Sequence, residues 1–136
     1  MRLLLFVAAD CANITADNKL NVMGVFNEIR AAQFPARHPS IHLVVKLAAE
    51  LGEYGQKRDL TVHLQAPDGE PILSLTGQVE VPRPAGGTRP EVNAIFSIRD
   101  VVFQKPGPYQ FVVLVDKDFK GDLPISVIRL PEPPAS

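Results

Sequence analysis

Apolar residues recur at every second position through most of this chain. Leu60, Val62 and Leu64 alternate with Asp59, Thr61, His63 and Gln65, the pattern of a strand buried on one face. The run continues into Ala66-Pro67-Asp68-Gly69-Glu70, where proline and glycine mark a hairpin turn. The return strand spans 72–81, with Leu73, Leu75, Val79 and Val81 in phase. Gly77 in that phase marks a bulge or a close crossing. Further strands are predicted over 3–7, 19–26, 42–47, 92–101 and 109–115. A last one holds Leu123, Ile125 and Val127. No segment keeps a 3.6-residue period with helix caps; Ala48-Ala49-Glu50-Leu51 supports a single helical turn at most. Seven to eight strands at this spacing predict an all-β antiparallel sandwich of immunoglobulin-like type.

The connection from Asn27 to Ser40 is too long for a tight hairpin. It is read as a crossing between sheets, with Ile29 and Phe34 tucked beneath it. Residues 82–90 form a loop of prolines and glycines. The end, 131–136, is proline-rich. One domain is therefore expected over 1–130, followed by a short tail.

Composition narrows the class. The 136 residues are 46% hydrophobic and 21% charged, with 13 prolines and a net charge of −1. That is globular usage, with proline at about twice its ordinary ~5%. Without surplus Lys and Arg, general nucleic-acid binding is not expected. The apolar stretch Leu3–Ala9 has one preceding Arg, and Asp10 stands where a signal cleavage site wants a small residue. It reads as a buried first strand. No run approaches the ~20 apolar residues of a membrane helix. The expectation is a cytoplasmic chain without a membrane partner.

Two segments carry a resemblance. Gly24-Val25-Phe26-Asn27-Glu28-Ile29, with Phe34-Pro35-Ala36-Arg37-His38-Pro39 after it, resembles a family of small bacterial proteins of unknown function. So does Pro106-Gly107-Pro108-Tyr109-Gln110-Phe111 followed by Val115-Asp116. The likeness spans nearly the whole chain and implies a sandwich with no assigned activity. Pro-Gly-x-Tyr before a late strand also recurs in immunoglobulin-like domains, where the ring packs in the core and its hydroxyl binds nearby backbone.

Candidate chemistry is sparse. His38 and His42 are separated by Pro39, and a zinc site would need His63 and Cys11 to converge with them. The loop from Asp116 departs from an EF-hand at Lys120 and Val127. Asp10, Asp17, Asp116 and Asp118 could hold calcium only if their loops share one end. Cys11 has no evident activating partner, and no nucleophile elbow or phosphate loop occurs. No catalytic residue, metal or cofactor is predicted.

One positive signal remains: several strands are apolar on both faces. Leu4 and Phe6 oppose Leu3, Leu5 and Val7; Val112 and Leu114 oppose Phe111, Val113 and Val115. A sandwich hides one face of each sheet, so the second must be covered by the chain's own 27–40 connection or by another molecule. The reading is a non-enzymatic binding or structural module. It acts through protein contacts or as a homo-oligomer, with Leu4, Phe6, Val112 and Leu114 as the interface. The alternative is a module binding carbohydrate or lipid with the loops at one end.

Overall fold

The computed structural model describes residues 1–84 and 86–131. The expected tail therefore lies outside the described residues from position 132 onward. Nine strands run in order: β1 (Arg2–Ile14), β2 (Leu20–Phe26), β3 (Glu28–Ala31), β4 (Ala36–Ala48), β5 (Lys57–Gln65), β6 (Pro71–Glu80), β7 (Glu91–Phe103), β8 (Gly107–Val115) and β9 (Asp118–Arg129). They form a four-stranded sheet, β2-β1-β4-β7, and a five-stranded sheet, β3-β9-β8-β5-β6. The sandwich is as expected, with nine strands rather than seven or eight.

The ninth strand is β3, inside the connection read as a bare crossing. It is four residues long and pairs in parallel with the end of β9. Ile29 is buried there, as anticipated, and Phe34 packs against the core with the Arg129 guanidinium 4.8 Å from its ring.

The arrangement is immunoglobulin-like. β4 and β7 take the places of strands B and E; β9, β8 and β5 take those of G, F and C, and β6 adds C′. Tyr109, at the start of β8, donates its hydroxyl proton to the Lys105 carbonyl at 2.7 Å while its ring is buried. This is the tyrosine corner that Pro-Gly-x-Tyr implied. No strand occupies the D position among the described residues, so β7 is an open edge.

The core lies between Ile41, Leu43, Val45 and Leu47 of β4 and Leu60, Val62, Leu64, Phe111, Val113 and Ile125 of the facing sheet, all fully buried. The two open sides of the sandwich differ. On one, Leu3 packs directly on Gly121, and the chain crosses from β2 into β3. On the other, β6 and β7 approach each other around Gly77 and Phe96. Gly77 marks neither a bulge nor a close crossing: it pairs in register with Leu60, and a Cβ there would meet the phenyl ring at an ordinary 3.8 Å.

Candidate functional site: a cleft between two free edges

The four residues read as an interface do not share a surface. The register of β1 against β4 slips between Leu3 and Leu5, which inverts the alternation before it. Phe6 consequently lies opposite Val45 and packs on the core, while Leu4 sits in the bulge, 41% exposed. Val112 and Leu114 do face outward, opposite His63 and Thr61, but on the five-stranded sheet. Val112 is nevertheless buried there.

The outward row of the four-stranded sheet is Leu5, Val7 and Ala9 of β1, Val44 of β4 and Ile95 of β7. Its cover comes from the chain, though not from 27–40. Beyond Ala9, the β1–β2 hairpin bends across this face. Ala12 donates its backbone N–H to His42 Nδ1 at 2.8 Å, and Asn93 Nδ2 reaches the Asn18 carbonyl and side-chain oxygens, both at 3.3 Å. His42 and Asn93 both point outward from the sheet. Val44, between them, has no solvent exposure. The bend falls at Asp10 and Gly24, the one opposed pair that the β1–β2 ladder skips. Gly24 has φ +72°, and a Cβ there would lie 2.5 Å from Asp10 Oδ2, so a side chain at this position would be strained.

The metal candidates are dispersed. His42 accepts the Ala12 N–H through Nδ1, and the His38 ring lies tilted against Phe26 at 5.6 Å. His63 is on the opposite sheet, and Cys11 is exposed on β1. Among the described residues, no three His, Cys, Asp or Glu side chains converge. Two of the four aspartates, Asp17 and Asp116, have other work. Asp17 pairs with Lys19 in the β1–β2 turn. Asp116 and Lys117 make a two-residue turn with both φ values positive, 48° and 70°. The Asp116 carboxylate accepts the Asp59 N–H at 2.9 Å and an Arg58 N–H at 3.0 Å. These bonds, the backbone one foremost, hold its carboxyl below the usual carboxylate range. A depressed folded-state value contributes stability above the unfolded value that fades as pH falls through the folded one. Asp116→Asn, which removes the charge but keeps a side chain tolerated at positive φ, is therefore expected to lower stability at pH 7 by less than about 1 kcal/mol. Denaturant midpoints at pH 7 and pH 2 should show the gap from wild type closing in acid.

A concavity lies at the open side. It has a volume of about 590 Å³ and runs between the β5–β6 turn and β6 on one wall and the end of β7 on the other. Ala66, Leu73, Val101 and Tyr109 contribute to its lining, with the more exposed Ile72 and Val102. Asp68 and Glu70 stand on the β6 wall, Arg99 and Lys105 on the opposite one. None of these four makes an ion pair among the described residues. Asp68 accepts the Glu70 N–H, and Asp100, also in the lining, pairs with Arg37 at 3.1 Å. The base is fixed by a close approach: a Cβ on Gly107, whose φ is +148°, would lie 2.7 Å from Pro67. A concave, partly apolar surface with convergent charges is a binding geometry. Sequence reasoning had the two turn motifs on either side but no signal that they would face one another.

No helix among the described residues is long and apolar enough to cross a membrane. No curated protein matches the chain in sequence. Seven chains of solved structures match its fold. The Pseudomonas fluorescens alkylpurine DNA glycosylase AlkC, solved with DNA containing an abasic site analogue, aligns at 11% identity and TM-score 0.53. The match covers 95% of this chain and 30% of that one. A β-glucosidase from Listeria innocua, in complex with isofagomine, aligns at 16% identity and TM-score 0.49, over 75% of this chain and 15% of its own. This chain thus spans less than a third of either protein, and at 11% identity the likeness to the glycosylase is one of fold alone. Residues 4–128 match a family of unknown function, DUF6941, and the chain belongs to that family.

Proposed function

We propose that this domain is a non-enzymatic binding module that receives a partner protein in the cleft between β6 and β7. The observation that carries the reading is the cleft itself: a partly apolar surface between two unpaired sheet edges, ringed by four charges without ion-pair partners among the described residues. The outer face of the four-stranded sheet supports it less well, because the β1–β2 hairpin already lies on it. A sugar ligand has little to stack on here. The chain has no tryptophan, and the Tyr109 ring is only 2% exposed.

The test is a phage-displayed library of random linear dodecapeptides, selected on the wild-type domain and re-bound to Val102→Glu. Val102 is 39% exposed at the cleft wall, so this substitution should change stability by no more than about 0.5 kcal/mol. Selected peptides should lose at least about tenfold in affinity on the variant, roughly 1.4 kcal/mol. Equal binding to both proteins would place the site elsewhere.

A further inference from the structure

We infer that the partner binds as an extended strand added to the free edge of β7, filling the vacant D position. The inference rests on the cleft being the binding site and adds to it the mode and chemistry of the ligand.

The backbone of β7 is arranged for this. Ala49 donates its N–H to the Pro90 carbonyl at 3.0 Å, and the β4–β7 register runs on unbroken from that pair to Ile41 and Ile98. An antiparallel ladder alternates, so Val92, Ala94, Phe96 and Ile98 turn their backbone groups toward β4. Asn93, Ile95 and Ser97 then direct their N–H and C=O groups at the open edge. No proline protects this stretch, although proline and charge are common guards of exposed edges.

The side chains point the same way. Core-facing residues of the inner strands are fully buried, but Leu73, Leu75 and Val79 of β6 and Ala94 and Phe96 of β7 are only half-buried. A strand beside β7 would lay every second side chain over this row. The rim sets the charges. Arg99 and Lys105 on the β7 side favour an acidic residue in the ligand; Asp68 and Glu70 on the facing wall favour a basic one. The ligand is therefore an extended protein segment with apolar residues at alternate positions and both charges near the end that reaches the cleft. Beyond Arg99 the ladder skips one position: Asp100 has φ +57° and stands opposite Pro39. Main-chain pairing is accordingly confined to the stretch from Asn93 to Ser97.

The experiment uses the dodecapeptides selected on the wild-type domain and follows amide hydrogen exchange by NMR. Their binding should slow exchange at Asn93, Ile95 and Ser97 at least tenfold. Ser97→Pro removes an outward N–H and no β4 hydrogen bond, and should weaken the peptides about tenfold or more. Methylating alternate backbone nitrogens of the peptide should do the same, which tests the pairing without altering the domain. Arg99→Glu should weaken those peptides that carry an acidic residue. If peptides bind, lose affinity on Val102→Glu, but leave exchange at these three amides unchanged and tolerate methylation, the cleft reading stands and strand addition is wrong. If no peptide is selected, both are wrong. If the domain instead dimerises through β7, with the same amides protected at high protein concentration alone, the edge is satisfied by a second copy and the ligand assignment is overturned.

Discussion

Val44→Asp should destabilise the domain by more than about 3 kcal/mol, a result that an uncovered outer sheet face would not give. Val44 points away from the core yet has no solvent exposure. Val7 and Ile95 flank it in register on neighbouring strands, and the β1–β2 hairpin lies above, tied to His42 and Asn93. An aspartate there would be buried without a partner, which costs several kcal/mol as the charged form. The penalty falls on the ionised carboxylate, so burial raises its folded-state pKa above the unfolded value. The loss should be full at neutral pH and shrink once the pH drops below that raised value. Ser74→Asp serves as the control. Ser74 is exposed on β6, opposite His63, and the substitution should stay within about 0.5 kcal/mol. Urea denaturation of both variants at pH 7 and pH 4 separates the outcomes. A Val44→Asp protein as stable as Ser74→Asp would mean that the hairpin does not cover the sheet.

That hairpin shows what alternation can and cannot convey. The doubly apolar β1 signals that the second face of its sheet needs a cover, but alternation leaves open whether residues 27–40 or another molecule supplies it. The true cover depends on a bend at Asp10 and Gly24, where a single left-handed glycine redirects two strands. Periodicity carries no trace of such a bend, because the residues on either side still alternate. The same limit explains Phe6. One extra residue at Leu4 shifts the phase, and a period-two pattern of consecutive leucines cannot reveal which residue bulges. β3 was invisible for a different reason. It is four residues long and finds its partner about 100 positions away, so no local pattern announces it. By contrast, β5 and β6 were legible because one face of each is solvated and polar. The cleft was half legible. Its boundary turns stand out as Pro67-Asp68-Gly69 and Lys105-Pro106-Gly107, but their apposition is a product of the fold.

Phe103→Ala should cost about 3–5 kcal/mol, the range for truncating a fully buried phenylalanine, and should impair the cleft as well. Phe103 is fully buried at the end of β7, and Tyr109 stands edge-on to its ring at 4.9 Å. Tyr109 is in turn part of the cleft lining and is anchored to the Lys105 carbonyl. Removing the phenyl ring leaves the tyrosine without its aromatic neighbour while its hydroxyl bond remains, so the ring can tilt into the vacated volume. Against a total stability of about 5–15 kcal/mol, the loss should lower the melting temperature by roughly 10 °C or more. Leu47→Ala gives the necessary comparison. Leu47 is equally buried, at the opposite end of the sandwich beside Leu3 and Val92, and should cost about 2–5 kcal/mol without reaching the cleft. Calorimetry should then show two destabilised proteins, of which only Phe103→Ala binds the selected peptides less well at a temperature where both are folded. Equal peptide affinity in the two would show that the tyrosine corner supports the fold alone. Weaker binding confined to Phe103→Ala would tie the shape of the cleft to the aromatic pair at its base, and so to the Pro-Gly-x-Tyr motif that the sequence displays.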